Sequence, residues 1–156
     1  MDRLLIAVMY PDEENLDKVK SDLVKEYGLI IKESEPYDFT TFTSYYEPEM
    51  GAKILKRFLI FEKKISKNDM IEIKKKITEF EKKYSVDGKR TINLDPGYIS
   101  STELVLATCK GKGFKEKLGD KVWAHKVLEF KDGEAIAFYH TFADYKKFKD
   151  WFVDFQ

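Results

Sequence analysis

The chain has 156 residues, 43% of them hydrophobic, enough for one domain with a sizeable core and too many for a disordered chain. Its 28 basic and 28 acidic side chains cancel, which argues against a dedicated DNA or RNA binder. A single cysteine, Cys109, excludes an intramolecular disulfide and a cysteine-cluster metal site, and reads as a small buried residue.

The apolar run Leu4 to Met9, ended by Pro11, predicts a buried strand. It is too short for a signal peptide, and no segment approaches a membrane span, so the expected location is the cytoplasm. Asp12 is placed to cap a helix carrying Leu16, Val19, Leu23 and Val24 at helical spacing, closed by Tyr27-Gly28. A second strand starts at Leu29 and runs towards Tyr37-Asp38-Phe39. The following TTFTSYYEPEMGAK reads as a loop, and Ile54 to Ile65 as a long strand. Ile71, Ile73, Ile77, Phe80 and Tyr84 mark the inner side of a second helix opened by Ser66 to Asp69. Val86 to Lys89 is a turn, Arg90 to Leu94 a strand, and Asp95-Pro96-Gly97 carries the signature of a type II turn.

Beyond Pro96 the pattern loosens. Ser101 or Thr102 is placed to cap a short helix through Leu104, Leu106 and Ala107, although ELVLAT passes equally as a strand. Lys110 to Asp120 reads as a loop. Val122 to Phe130 and Glu134 to Tyr139 flank Asp132-Gly133, a strong hairpin signal. Asp144 opens a terminal helix with an aromatic stripe of Tyr145, Phe148, Trp151, Phe152 and Phe155. The order strand-helix-strand-strand-helix-strand predicts an α+β fold: a ferredoxin-like βαββαβ sandwich with a C-terminal β-hairpin and helix, as a single domain over 1–156.

Chemistry concentrates in a few places. Nearly all basic residues are lysine, a bias that fits a thermophile surface and equally AT-rich codon usage, and the arginines are Arg3, Arg57 and Arg90. Arginine grips carboxylates and phosphates bidentately, so Arg57 is read either as a ligand anchor or as an ion-pair partner. Glu47 and Glu49 would point the same way in an extended segment and bind a cation or amine together; the plain alternative is a solvated acidic loop. Asp95 at a strand end is placed as a base or metal ligand, or merely begins a turn. Lys110-Gly111-Lys112-Gly113 is a weak phosphate cradle without the P-loop ending, and the GxGxxG, HExxH and GxSxG patterns are absent. His125 and His140 are too far apart in sequence to form a metal motif, but either could join a mixed site in space.

Asp38-Phe39-Thr40, the run Tyr45-Tyr46-Glu47-Pro48-Glu49-Met50-Gly51, Arg57-Phe58 with Phe61-Glu62, Val86 to Tyr98 (VDGKRTINLDPGY), and Leu104 to Thr108 with Lys110 together give the chain a family likeness. It resembles the prokaryotic family called domain of unknown function 4416 over nearly its whole length. The resemblance implies no particular chemistry.

The resulting expectation is a site for a small anionic ligand, bearing phosphate or carboxylate, gathered from separate segments. Arg57 and Lys110 would hold the anion, with Tyr46, Tyr98 and His125 beside it. Glu47, Glu49 and Asp95 would supply a base or bind a divalent ion. Reaction class, cofactor and metal are left open. The rival expectation is a non-catalytic interaction or self-assembly module using the aromatic terminal helix. No membrane partner is expected, and nucleic acid is disfavoured.

Overall fold

A computed structural model describes residues 2–111, 113 and 115–153. The expectations that include Lys112 and Phe155 lie partly outside these residues.

Strand β1 (Asp2–Tyr10) leads into helix α1 (Glu13–Tyr27). Asp12 caps α1 by accepting the Asn15 N–H at 2.9 Å, and Gly28 ends it at φ 90°, a left-handed conformation that suits glycine. Strands β2 (Ile30–Glu33) and β3 (Tyr37–Asp38) follow. The predicted loop contains a 3-10 turn (Phe39–Thr41) and a single-turn helix α2 (Glu47–Met50) with Pro48 in its first turn. Strand β4 (Leu55–Ile65) then leads through a capped 3-10 turn (Lys67–Asp69) into α3 (Met70–Lys83).

The second half is richer in strands: β5 (Asn93–Ile99), β6 (Glu103–Thr108), β7 (Glu116–Gly119), β8 (Val122–Lys131) and β9 (Glu134–Ala137). The predicted terminal helix is two short ones, α4 (Ala143–Lys147) and α5 (Lys149–Val153). Asp132 and Gly133, at φ 51° and 77°, turn β8 into β9 as the Asp-Gly signal requires.

The result is an α+β fold built on one antiparallel sheet in the order β2-β4-β1-β5-β6-β8-β7, with β3 on β4 and β9 on β8. Alternation along the strands sends side chains to two cores. Leu4, Ile6, Val8 and Tyr10 meet α1 and α3 on one face. Leu5 and Ala7 meet Phe58, Tyr145 and Phe152 on the other. The aromatic stripe therefore closes a core: Tyr145 and Phe152 are buried, and Phe148 and Trp151 pack half-buried against them. Lys56 ties α4 to β4 from inside, its Nζ 2.7 Å from Asp144 Oδ2, which also accepts the Tyr37 hydroxyl at 2.7 Å.

Of the two readings open for Glu103 to Thr108 the strand holds and the short helix does not, the expected loop Lys110 to Asp120 contains β7, and the expected turn at Pro96-Gly97 is absent. ELVLAT is the strand β6, since its residues alternate between the two cores. Asp95-Pro96-Gly97 is not a turn; it lies in the middle of β5, between β1 and β6. Proline is tolerated in so central a strand because of where its nitrogen points. The Leu94 N–H donates to Glu81 Oε2 at 2.8 Å. Leu94, Pro96 and Tyr98 therefore direct their backbone polar groups away from β1. The Ser100 N–H, donating to the Glu103 carbonyl at 2.9 Å, continues the same alternation. Pro96 thus faces β6 with no N–H to offer.

Pairing of β5 with β6 runs from Ile99↔Leu104 to Gly97↔Leu106 and stops there. Yet β5 stays paired with β1 as far as Asn93↔Met9, and β6 with β8 as far as Thr108↔Trp123. The sheet forks at Pro96. Just before the fork the strands are pressed together: a Cβ on Gly97 would lie 2.2 Å from the Val105 carbonyl oxygen.

Candidate functional site

The fork opens into a cleft of about 580 Å³. Asn93 and Asp95 of β5 form one wall, and Leu106 to Lys110 the other. Lys74, Thr78 and Glu81 reach in from α3, on one face of the sheet. His125 of β8, Phe142 at the start of α4, Tyr45 and Tyr46 before α2, Lys115 and Arg90 complete it.

Arg90 organises the acidic end. Its Nε donates to Glu49 Oε2 at 2.8 Å and its Nη2 to Glu49 Oε1 at 2.9 Å, a bidentate clamp. Its Nη1 reaches Asn93 Oδ1 at 2.7 Å and Glu81 Oε2 at 3.4 Å. These bonds hold the Glu49 carboxyl below the usual carboxylate range. Asn93 Nδ2 in turn donates to Asp95 Oδ2 at 3.1 Å. Glu81, only 8% exposed, has its carboxyl pushed upward by burial, against the pull of the Leu94 N–H. Burial and the Asp95 charge push the Tyr46 hydroxyl up to about 12, so it stays a hydrogen-bond donor at neutral pH.

The opposite end is cationic. Lys110 extends over the Tyr45 ring, 5.5 Å from its centroid. Lys115 Nζ donates to the Lys110 carbonyl at 2.8 Å, and burial together with the Lys110 charge pulls its ammonium below the usual lysine range. Between the two ends stands His125, whose ring stacks on Phe142 with centroids 5.6 Å apart. Burial, then Lys115 and His140, lower its imidazole to about 4, so the ring is neutral at pH 7.

Of the residues expected from sequence, Tyr46, Asp95, Lys110 and His125 line this cleft, and Glu49 adjoins it through Arg90. Glu47 is exposed and not part of the lining, because α2 is helical and turns it away from Glu49. Arg57 is placed elsewhere: on the α1 face its guanidinium donates to the Tyr10 hydroxyl, Glu33 and Glu13. Tyr98, 4% exposed, packs in the α1 and α3 core, because its position in β5 faces away from that of Asp95. Cys109 is exposed at the cleft and not buried. Among the described residues no group of three or more His, Cys, Asp or Glu is arranged to hold a metal ion, and no helix is long and apolar enough to cross a membrane.

Sequence reasoning missed Lys74, Glu81, Lys115 and Phe142. Glu81 was readable: it follows Ile73 and Ile77 at intervals of four, which sets a carboxylate on the buried stripe of α3. Lys115 and Phe142 stand in segments with no periodic signal.

The cleft draws on the segments that carry the family likeness, among them Tyr45-Tyr46, Arg90, Asn93, Asp95 and Leu106 to Thr108 with Lys110. The family model for the domain of unknown function DUF4416 matches residues 1–155. The chain belongs to the DUF4416 family. No curated protein and no solved structure matches it. For a DUF4416 domain, then, the chemistry has to be read from the cleft itself.

Proposed function

We propose that the cleft binds a small anionic molecule bearing a phosphate or carboxylate group. One observation carries this reading. Lys74, Lys110 and Lys115 all line the cleft, and among the described residues none of them has a carboxylate within ion-pair distance, Lys74 acting on Glu81 only from further off. By contrast, Lys56 is neutralised by Asp144 and Arg57 by Glu33. Uncompensated lysines in a concave site attract anions. Asp95 is the carboxylate placed to orient a ligand or to accept a proton from it, and any catalysis would rest on it and on His125.

A self-assembling interaction module is the second reading. The burial of Tyr145 and Phe152 within the protein's own core favours the cleft reading over it. For the fold, we infer that residues 2–99 form a ferredoxin-like βαββαβ core. The strand order β2-β4-β1-β5 and the packing of α1 and α3 on one face support this.

Thermal melting with inorganic phosphate or citrate tests the function. A ligand at a hundred times its Kd stabilises the native state by about 2.7 kcal/mol. For a domain of this size that is a rise of roughly 5–10 °C. The Lys110→Gln/Lys115→Gln double variant should lose most of the rise. An unchanged melting temperature in both proteins, or an equal rise in both, would overturn the reading.

A further inference from the structure

The polar groups of the cleft are unevenly satisfied, and the imbalance describes the ligand. Both ring nitrogens of His125 are buried, and neither meets a hydrogen-bond partner among the described residues. Buried polar atoms are nearly always bonded, and an exception in a cleft calls for a missing partner. The ring is packed among its neighbours, and a ligand reaches its buried nitrogens only as those neighbours shift. It is stacked on Phe142 and met edge-on by His140, with centroids 5.1 Å apart and planes at 88°. The His140 ring is itself anchored, its Nε2 2.9 Å from the Lys126 carbonyl. His125 sits in β8 directly opposite Leu106, so the strand that forms the far side of the fork fixes its height in the cleft.

A neutral imidazole carries one donor and one acceptor. Asp95 adds acceptor capacity, since Asn93 reaches only its Oδ2. The interior of the cleft therefore offers acceptors at Asp95 and one imidazole nitrogen, beside the imidazole N–H, while its lysines offer cations. A bare anion leaves those acceptors unmet. A molecule that meets both carries an anionic group and hydrogen-bond donors on the same short frame. Tyr45 and Phe142, 69% and 51% exposed at the cleft, add aromatic faces suited to the C–H surface of a sugar or polyol.

We propose that the ligand is a hydroxylated anion, a sugar phosphate or sugar acid, whose hydroxyls donate to His125 and Asp95 while its anionic group lies at Lys110 and Lys115. This rests on the anion-binding reading above and narrows it.

The test compares matched probes on the intact protein: ribose 5-phosphate against n-pentyl phosphate, with inorganic phosphate as reference. Ribose 5-phosphate should raise the melting temperature several degrees more than pentyl phosphate. It should also shift the His125 imidazole signals in the NMR spectrum, which are separable because the chain has two histidines. His125→Phe should erase the difference between the two probes while keeping the pentyl phosphate response, and His125→Gln should restore part of it. Equal stabilisation by the two organic phosphates with unmoved His125 signals would overturn the hydroxyl assignment and leave anion binding standing. No stabilisation by any of the three would overturn both.

Discussion

Arg90 holds Glu49 in a two-point grip, Nε to Oε2 at 2.8 Å and Nη2 to Oε1 at 2.9 Å, across a gap of 41 residues. The Arg90 backbone N–H also donates to Glu49 Oε2 at 3.1 Å, so one carboxylate fastens the α2 segment to the approach of β5. Lysine lacks the fork that makes this grip. Arg90→Lys should therefore loosen the segment although the charge is kept. In a double-mutant cycle with Glu49→Gln, urea denaturation should give a coupling of about 1 kcal/mol, the upper end for partly exposed pairs. Amide exchange over residues 45–51 should quicken in either single variant. A coupling near zero would show the pair to be incidental.

Gly97 has a sharper constraint. Its missing Cβ would meet the Val105 carbonyl, a backbone atom that cannot rotate away. Gly97→Ala should cost about 2–3 kcal/mol, as overpacking of a tight contact does. Chemical denaturation measures it, and a loss under 1 kcal/mol would mean that β5 and β6 separate easily at this point.

The Lys56–Asp144 pair is nearly sealed, with side chains 4% and 3% exposed. Asp144→Ala leaves a buried ammonium without its counter-charge and should cost about 3–5 kcal/mol. The double variant Lys56→Met/Asp144→Leu should recover part of that loss, because an apolar pair of similar size avoids the desolvation while the Tyr37 hydroxyl still loses its acceptor. If the double variant is no more stable than the single one, the pair does more than neutralise itself.

Cys109 offers a direct reading of the charge in the cleft, since it is the only thiol in the chain and is exposed. Anionic iodoacetate should alkylate it several-fold faster, relative to neutral iodoacetamide, than the same reagents alkylate free glutathione. The preference should fade at high salt and in the Lys110→Gln/Lys115→Gln variant. A ratio equal to that of glutathione would mean that the lysines do not set the local potential.

Much of the fold was legible because local and tertiary preferences agreed. The Ile73–Ile77 stripe specified α3, and Asp132-Gly133 specified the β8–β9 hairpin. Pro96-Gly97 was misread because its local turn preference is overruled by pairing with β1, which needs nothing from the Pro96 nitrogen. The site was legible only in part for a similar reason. Tyr46, Asp95, Lys110 and His125 stood in recognisable segments, but which of them meet depends on strand parity. Parity sends Asp95 to the cleft and Tyr98, three residues on, into the core.

The fork also has a mechanical meaning. Between β5 and β6 the sheet is stitched together only from Gly97 to Ser100, whereas β1 holds β5 from Arg3 to Met9. Within the sheet, the strands up to β5 and those from β6 onward are thus two panels joined by a narrow seam, with α3 packed across both. A molecule seated between Asp95 and Lys110 would bridge the panels like a second seam, and resistance to pulling them apart would become a measure of occupancy.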